Sequence, residues 1–469
     1  MDETSLDPKD WEAFRRLLHR AADDVVDFLS GVRETPAWSP MPPSVPAPVP
    51  RQGLPEEEVY REIVQRMLPY RLGNIHPRFW TRVAGTGTPV GVLADFMASA
   101  MNSNAAGQDS SATRTETEVV EWLKEILGFP ASASGLMTLG ASTANLIGLT
   151  VARNQALANA NREGVGGSHL VAYCSDEAHI SIERAMALLG LGVDNLRRIP
   201  TDDEYRMDPD RLEAAIALDR HEGRVPFAVV GTAGTVATGS TDGLDALADL
   251  CARERVWFHV DGAFGALACM SPQLKPMLKG MDRADSLGFD LHKWMHVPYD
   301  CGCAIVRDAE AHRRAFLTEA SYLAVTHRGS AAGNARFYEL GPDLSRSFRA
   351  LKVWATLKTY GTEGCARSIE QNVEQARYLA ARIEAEPRLT LMAPVPLNIV
   401  CFRFSREMTE AEHRRRNEEA SVAIQEQGIA VASTVDLKGR NAMRVCLVNH
   451  RTRREDLDLF LGALLHAEP

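Results

Sequence analysis

The chain runs to 469 residues, 45% hydrophobic and 24% charged, the composition of a soluble globular protein long enough for two or more domains. Its 52 Lys+Arg against 62 Asp+Glu leave a formal net charge of -10 without a basic run, which argues against a nucleic-acid partner. The acidic, polar start MDETSLDPKDWEAF does not read as a signal peptide, no run of about 18 apolar residues spans a membrane, and the eight cysteines show neither CxxC nor zinc spacing, so a metal-free protein with reduced thiols in the cytoplasm is expected.

Residues 9–32 read as an amphipathic helix, with Trp11, Phe14, Leu17, Leu18, Ala21, Val25, Phe28 and Leu29 at helical spacing. The ETPAWSPMPPSVPAPVP that follows is too rich in proline for a helix or central strand and reads as an extended arm anchored by Trp38 and Met41. A helix and arm with no core of their own need another surface, so a homodimer wrapped by its N-termini is expected. Helical stretches at 91–104, 116–127, 142–158, 181–190, 208–219 and 242–254 then alternate with apolar runs at 171–175, 226–231, 256–261 and 302–307. Runs of that kind are strands buried on both faces, and their alternation with helices predicts an α/β unit around a mostly parallel sheet, with ligands at the carboxyl ends of the strands. Beyond about 350 the pattern becomes a long helix (348–385), strands near 389–392 and 398–404, a helix near 409–427, a strand at 442–448 and a helix at 454–466. Three units are expected: 1–90, a helix and proline-rich arm; 91–350, a large α/β domain; and 351–469, a small α+β domain.

Five segments carry chemistry. Lys293, in DLHKW (290–294), follows an apolar stretch at a strand end, where partial desolvation makes an amine nucleophilic. Taken alone, a solvated loop lysine is the commoner reading. Asp261, in HVDGAFG (259–265), closes an apolar strand and needs a positive partner, or caps the next helix. In TLGASTANLIGL (138–149), Gly140, Ala141 and Ser142 open a helix whose free N–H groups suit a phosphate, though Gly/Ser turns also start helices simply as caps. His179, in YCSDEAHISIERA (173–185), follows a strand end, where its imidazole can stack on a pyridine ring or pack in a core. Thr235, in GTAGTVATGSTD (231–242), touches a cofactor ring or serves only its turn. Together they set a cation, an anion, an aromatic face and a phosphate cradle at the ends of strands in one domain, the parts that pyridoxal 5′-phosphate (PLP) requires.

These segments, with HPRFW (76–80), EVVEWLKEILGFP (118–130), ADSLGFDLHKW (284–294), DCG (300–302), LSRSFRALKVWATLKTYG (344–361) and MRVCLVNHRT (443–452), make nearly the whole chain resemble the group II PLP-dependent amino-acid decarboxylases. That family includes the aromatic-L-amino-acid, histidine and glutamate decarboxylases. The resemblance implies the PLP-dependent transferase fold type I and a homodimer with its active site at the interface. It implies that Lys293 holds PLP as a Schiff base, that Asp261 pairs with the pyridinium and that His179 stacks on the ring. It further implies that Ala141, Ser142, Asp290 and His292 hold the phosphate while Thr235 and Ala263 flank the ring.

The chain also departs from the family. The phosphate turn reads Leu139-Gly140-Ala141-Ser142-Thr143 where the family usually has Ser-Gly-Gly-Ser-Glu. The expected substrate pocket, Trp80, Arg82 and Gly85 with Asn102 and Asn104 lent by a partner subunit, is more polar or roomier than an aromatic slot. Counting back from LSRSFRALK puts Phe337 where the family carries a proton-donating loop tyrosine, with Tyr338 beside it in a segment, 324–341, expected to be mobile. Decarboxylation of an L-amino acid to its amine is the expected reaction. The alternatives are decarboxylation coupled to oxidative deamination, as in aldehyde synthases with Phe at that position, another PLP-dependent lyase reaction, and a non-catalytic PLP-binding protein.

Overall fold

The structure is a computed structural model and describes residues 4–43, 48–317, 328–329, 332 and 335–466. Its larger sheet has seven strands: β1 (Ser134–Thr138), β2 (Leu170–Ser175), β3 (Leu196–Ile199), β4 (Val225–Thr232), β5 (Trp257–Asp261), β6 (Ser286–Asp290) and β7 (Gly302–Val306). They lie in the order β1-β7-β6-β5-β4-β2-β3. Only β7 runs against its neighbours, pairing antiparallel with β1 and β6. Helices cross between the parallel strands, as the fold type I α/β architecture requires.

The antiparallel step positions the chemistry. A parallel partner for β6 needs a crossover, whereas an antiparallel one is reached by a direct turn. Residues 291–301 make that turn at the carboxyl end of β6, and Lys293 lies in it. Leu291 and His292 N–H both donate to Cys301 O at 3.0 Å, and the Trp294 indole donates to Asn372 Oδ1 at 3.1 Å. The lysine therefore stands on a fixed turn.

Predicted helices and strands recur within a few residues, as in Trp11–Ser30, Ala141–Ala156 and β5. The long helix expected at 348–385 is found at Ala350–Glu384, with a break in its backbone at Gly361, where φ is 64° and ψ 174°. A residue with a Cβ rarely adopts that φ. Strands β1, β3 and β6 were not predicted, because they are short and carry Ser, Gly, Thr, Arg or Asp within the apolar run.

The second sheet holds β8 (Leu389–Leu391), β9 (Ile399–Phe404), β10 (Ser433–Leu437) and β11 (Arg440–Cys446) in the antiparallel order β10-β11-β9-β8. Its core gathers Phe402, Phe404, Met443, Leu457 and Phe460. The N-terminal segment leans on this side: Ala37 N–H donates to Gly428 O at 3.0 Å and Arg33 pairs with Asp456 at 2.8 Å. Helix Trp11–Ser30, capped by the Asp10 carboxylate, buries none of its residues. No helix among the described residues is long and apolar enough to cross a membrane.

Candidate active site

Asp261 ends β5, in the middle of the sheet, and is 3% exposed. Ala263 N–H donates to its Oδ1 at 3.1 Å, and among the described residues no cationic side chain pairs with it. Burial pushes this carboxyl group's pKa up, while Lys293 and then His179 pull it back toward the charged form. Asp290 ends the adjacent strand β6. Its Oδ2 lies 2.9 Å from Lys293 Nζ and 3.6 Å from His292 Nε2, and its Oδ1 accepts the Ala141 N–H at 2.6 Å. The Lys293 side chain keeps 20% of its surface open.

His179 caps helix Ile180–Leu188, its Nδ1 accepting the Ser181 N–H at 3.2 Å. Burial lowers its pKa, so the ring is neutral at neutral pH and carries its proton on Nε2. His292 is likewise lowered by burial, and its Nδ1 accepts the Cys301 N–H at 3.0 Å. The His292 ring lies 4.2 Å from the Tyr299 ring at 31°. The electrostatic coupling of His179, Asp261, Lys293 and Asp290 marks them as one cluster at the strand ends.

The structure redraws several expected roles. Ala141 and Asp290 do not present free groups to a phosphate: the Ala141 N–H is spent on Asp290, and a carboxylate repels a phosphate. Their pairing ties the start of helix Ala141–Ala156 to the turn that carries Lys293. Ser142 is exposed at that helix start and remains available, whereas His292 is buried with its Nδ1 already engaged. The Thr235 hydroxyl is engaged within its own turn, 3.0 Å from Thr238 Oγ1 and accepting Ser240 N–H at 3.1 Å.

On the substrate side, Trp80 does not line a pocket. It is fully buried in the second core, its indole donating to Thr452 Oγ1 at 3.2 Å and its ring 5.7 Å from Phe460. Gly85 is a contact point instead of a lining: a Cβ there would lie 2.1 Å from His292 O and 2.3 Å from Lys293 O. Arg82 is exposed, and its charge bears on Tyr299, which is itself exposed. Asn102 stands exposed at the end of helix Pro89–Met101, while Asn104 Oδ1 is occupied by Arg346 N–H at 2.9 Å. Phe337 is not on an open loop. It packs with Leu136, Ile147 and Ala304, under an Arg346 guanidinium 5.0 Å from its ring centre. Tyr338 is half-buried, its N–H donating to Ala106 O at 3.2 Å. Much of 324–341 lies outside the described residues.

Sequence reasoning passed over Tyr299, Asn145 and Ser181. Tyr299 had no motif to mark it; Asn145 and Ser181 carried a weak signal as polar residues on the buried faces of apolar helices.

The site fits PLP on its own chemistry. A fully buried carboxylate without a cationic side chain calls for a positively charged ring nitrogen. A reachable amine, a neutral imidazole and an exposed serine at a helix start surround it. A fold alone does not assign a reaction, but this fold with this cluster defines a fold type I PLP-dependent enzyme. The comparisons agree. A model of the pyridoxal-dependent decarboxylase conserved domain matches residues 40–405. An aromatic-L-amino-acid decarboxylase of Bacillus atrophaeus is 34% identical over 455 residues, covering 95% of this chain and 93% of its own. A phenylacetaldehyde synthase of Petunia hybrida is 28% identical over 418 residues, covering 85% and 81%. The crystal structure of Oryza sativa TDC with PLP and tryptamine matches at a TM-score of 0.92 and 27% identity, covering 99% of this chain and 100% of that one. The chain belongs to the pyridoxal-dependent decarboxylase family and is a PLP-dependent carboxy-lyase acting on an amino acid.

Proposed function

We propose that the reaction is simple decarboxylation: the Cα–carboxylate bond of an L-amino acid breaks, CO2 leaves, Cα takes up a proton and the amine is released. The observation that carries this reading is the cluster at the strand ends, with Asp261 buried, without a cationic side chain paired to it among the described residues, and within the electrostatic reach of the Lys293 amine. PLP, when bound, supplies the electron sink that stabilises the carbanion. Lys293 would bind the cofactor carbonyl and reclaim it after turnover. Asp290 presents the Lys293 amine at 2.9 Å and ties it to the phosphate-side helix. Asp261 would hold the ring nitrogen in its cationic form. The neutral His179 would lie against the ring, and Ser142 and His292 would take the phosphate, with Ala263 at the ring's edge.

Proton return to Cα falls to Tyr338 in this reading. The oxidative alternative rests on Phe337 replacing a loop acid, and the packing of Phe337 beneath Arg346 supports a structural role for it. The substrate side chain is read as more polar than an aromatic ring, because Arg82 offers an exposed cation beside Tyr299. The assembly is read as a homodimer: helix Pro89–Met101 exposes Leu93, Phe96, Met97 and Met101 next to Asn102, and helix Trp11–Ser30 exposes Trp11 and Val26. The division at about 90 and 350 and a cytoplasmic setting belong to the same reading, the latter supported by eight buried free cysteines.

The test measures CO2, amine, hydrogen peroxide and ammonia together over a panel of L-amino acids. CO2 and amine in equal amounts without peroxide are expected. Equal CO2, aldehyde, ammonia and peroxide, with O2 and water consumed, would establish the oxidative reaction instead.

A further inference from the structure

A chain of polar groups runs from Trp257, at the start of β5, to His179. The Trp257 indole N–H donates to Ser286 Oγ at 2.8 Å. Ser286 Oγ lies 2.8 Å from His259 Nδ1, and His259 Nε2 lies 3.0 Å from Asn145 Oδ1. Asn145 Nδ2 donates to Ser181 Oγ at 3.1 Å, and Ser181 N–H is the group that His179 Nδ1 accepts. His259, Asn145, Ser181 and Ser286 are all buried.

Proton positions along this chain follow from the placement of the Asn145 amide, its Oδ1 toward His259 and its Nδ2 toward Ser181. An indole N–H only donates and an amide oxygen only accepts. His259 must therefore give its Nε2 proton to Asn145 Oδ1, and its bare Nδ1 takes the Ser286 hydroxyl. The ring stays neutral because burial pushes its pKa down to about 3. Two glycines clear the space: a Cβ on Gly148 would lie 2.6 Å from His259 Nδ1, and one on Gly288 2.4 Å from Asn145 Oδ1. Buried polar groups that are fully paired and given room in this way define one arrangement instead of several.

We propose that Asn145 and His259 are positioning residues for His179. Asn145 belongs to helix Ala141–Ala156, whose start faces Asp290 and Lys293, and Ser181 belongs to the first turn behind His179. The chain locks these two helices together. It holds the Ser181 N–H on His179 Nδ1, so that the His179 proton stays on Nε2 and the ring keeps its orientation. This inference rests on the reading of His179 as the residue that lies against the cofactor.

The test uses Asn145→Leu, His259→Leu and His259→Gln, the last keeping an N–H toward Asn145 Oδ1. Histidine 15N NMR of the cofactor-free protein reads the His179 tautomer directly, independently of the cofactor assignment. Wild type at pH 8 should show His179 as the neutral tautomer protonated on Nε2, and His259→Gln should match it. Asn145→Leu and His259→Leu should show mixed tautomers and an acid limb of the kcat/KM profile shifted upward, with kcat/KM of the holoenzyme lowered about tenfold, the equivalent of one lost hydrogen bond. Wild-type tautomer and pH profile in both leucine variants, with only a lower Tm, would overturn the proposal. Should the leucine variants fail to fold, Asn145→Asp, which loses the donor to Ser181, decides it by the same NMR signal. A normal NMR response without any effect of the variants on the PLP-loaded enzyme would instead remove the cofactor-facing role of His179.

Discussion

Asp290 holds Lys293 Nζ at 2.9 Å through one oxygen and the Ala141 N–H at 2.6 Å through the other. One carboxylate thus joins the Lys293 amine to the start of helix Ala141–Ala156. Asp290→Asn keeps an acceptor for Ala141 but loses the charge that holds the amine. Expected are a preserved fold, slower PLP loading followed by visible absorbance, and kcat/KM lowered at least about tenfold, the scale of one charge-assisted hydrogen bond. Lys293→Ala should abolish turnover altogether. An Asp290→Asn enzyme that loads and turns over as wild type would refute this role.

Gly85 carries the tightest constraint on the lysine turn from outside it. A methyl group at 2.1 and 2.3 Å from two backbone oxygens cannot be absorbed by a side-chain rotation. Gly85→Ala should lower stability by about 1–3 kcal/mol, the usual cost of overpacking, and should reduce kcat more than the destabilisation alone explains, since the displaced backbone is that of Lys293. Gly53→Ala, where nothing lies within 4 Å, is the control and should change neither. Urea melts and steady-state kinetics on both variants check this.

Arg346 and Glu116 form an ion pair with side chains 1% and 0% exposed. Arg346 also donates to Ala105 O and Met137 O at 2.9 and 2.7 Å, and Met137 N–H donates to Glu116 Oε1 at 2.9 Å. Glu116→Ala strands a buried guanidinium and should cost about 3–5 kcal/mol, whereas replacing both partners with apolar residues should cost much less. A double-mutant cycle in urea measures the difference. Similar losses for the single and the double variants would show that packing, not the stranded charge, sets the cost.

Acid should destabilise this protein early. Burial holds His76, His259, His312 and His450 neutral, with pKa values lowered from 6.5 to about 4, 3, 4 and 4. In the unfolded chain these rings protonate near 6.5. Between about pH 6.5 and 4 the unfolded state therefore binds more protons, and stability falls as pH falls. Carboxyl groups that burial raises, Asp242 to about 6 and also Asp95, Glu116, Glu177, Asp261 and Asp285, work in the opposite direction below about pH 6, while His179, His292, His296 and His413, lowered by burial too, add to the histidine side. The urea midpoint should be level above pH 7 and drop steadily from pH 6.5 to 4.5. A midpoint that holds or rises over that span would contradict the assignment.

Much of this molecule was legible before any coordinates. Periodicity located most helices and the long buried strands, and Lys293, Asp261 and His179 stood out because a charged or polar group at the end of an apolar run has few explanations. Those are local properties, carried by neighbours in the chain. Other features depend on segments that meet only in the folded state. Ala141 and Asp290 were grouped as phosphate contacts until the structure set the N–H of one on the carboxylate of the other. Trp80 passed for a pocket residue at the end of HPRFW, yet β11 and helix Arg454–His466 bury it. Phe337 passed for a loop residue until Arg346 was found over its ring. What the sequence by itself determined was the family pattern and the polar groups set at the ends of apolar runs; the tertiary structure decided what each group touches, because burial and hydrogen-bond partners are set by chain segments tens to hundreds of residues apart.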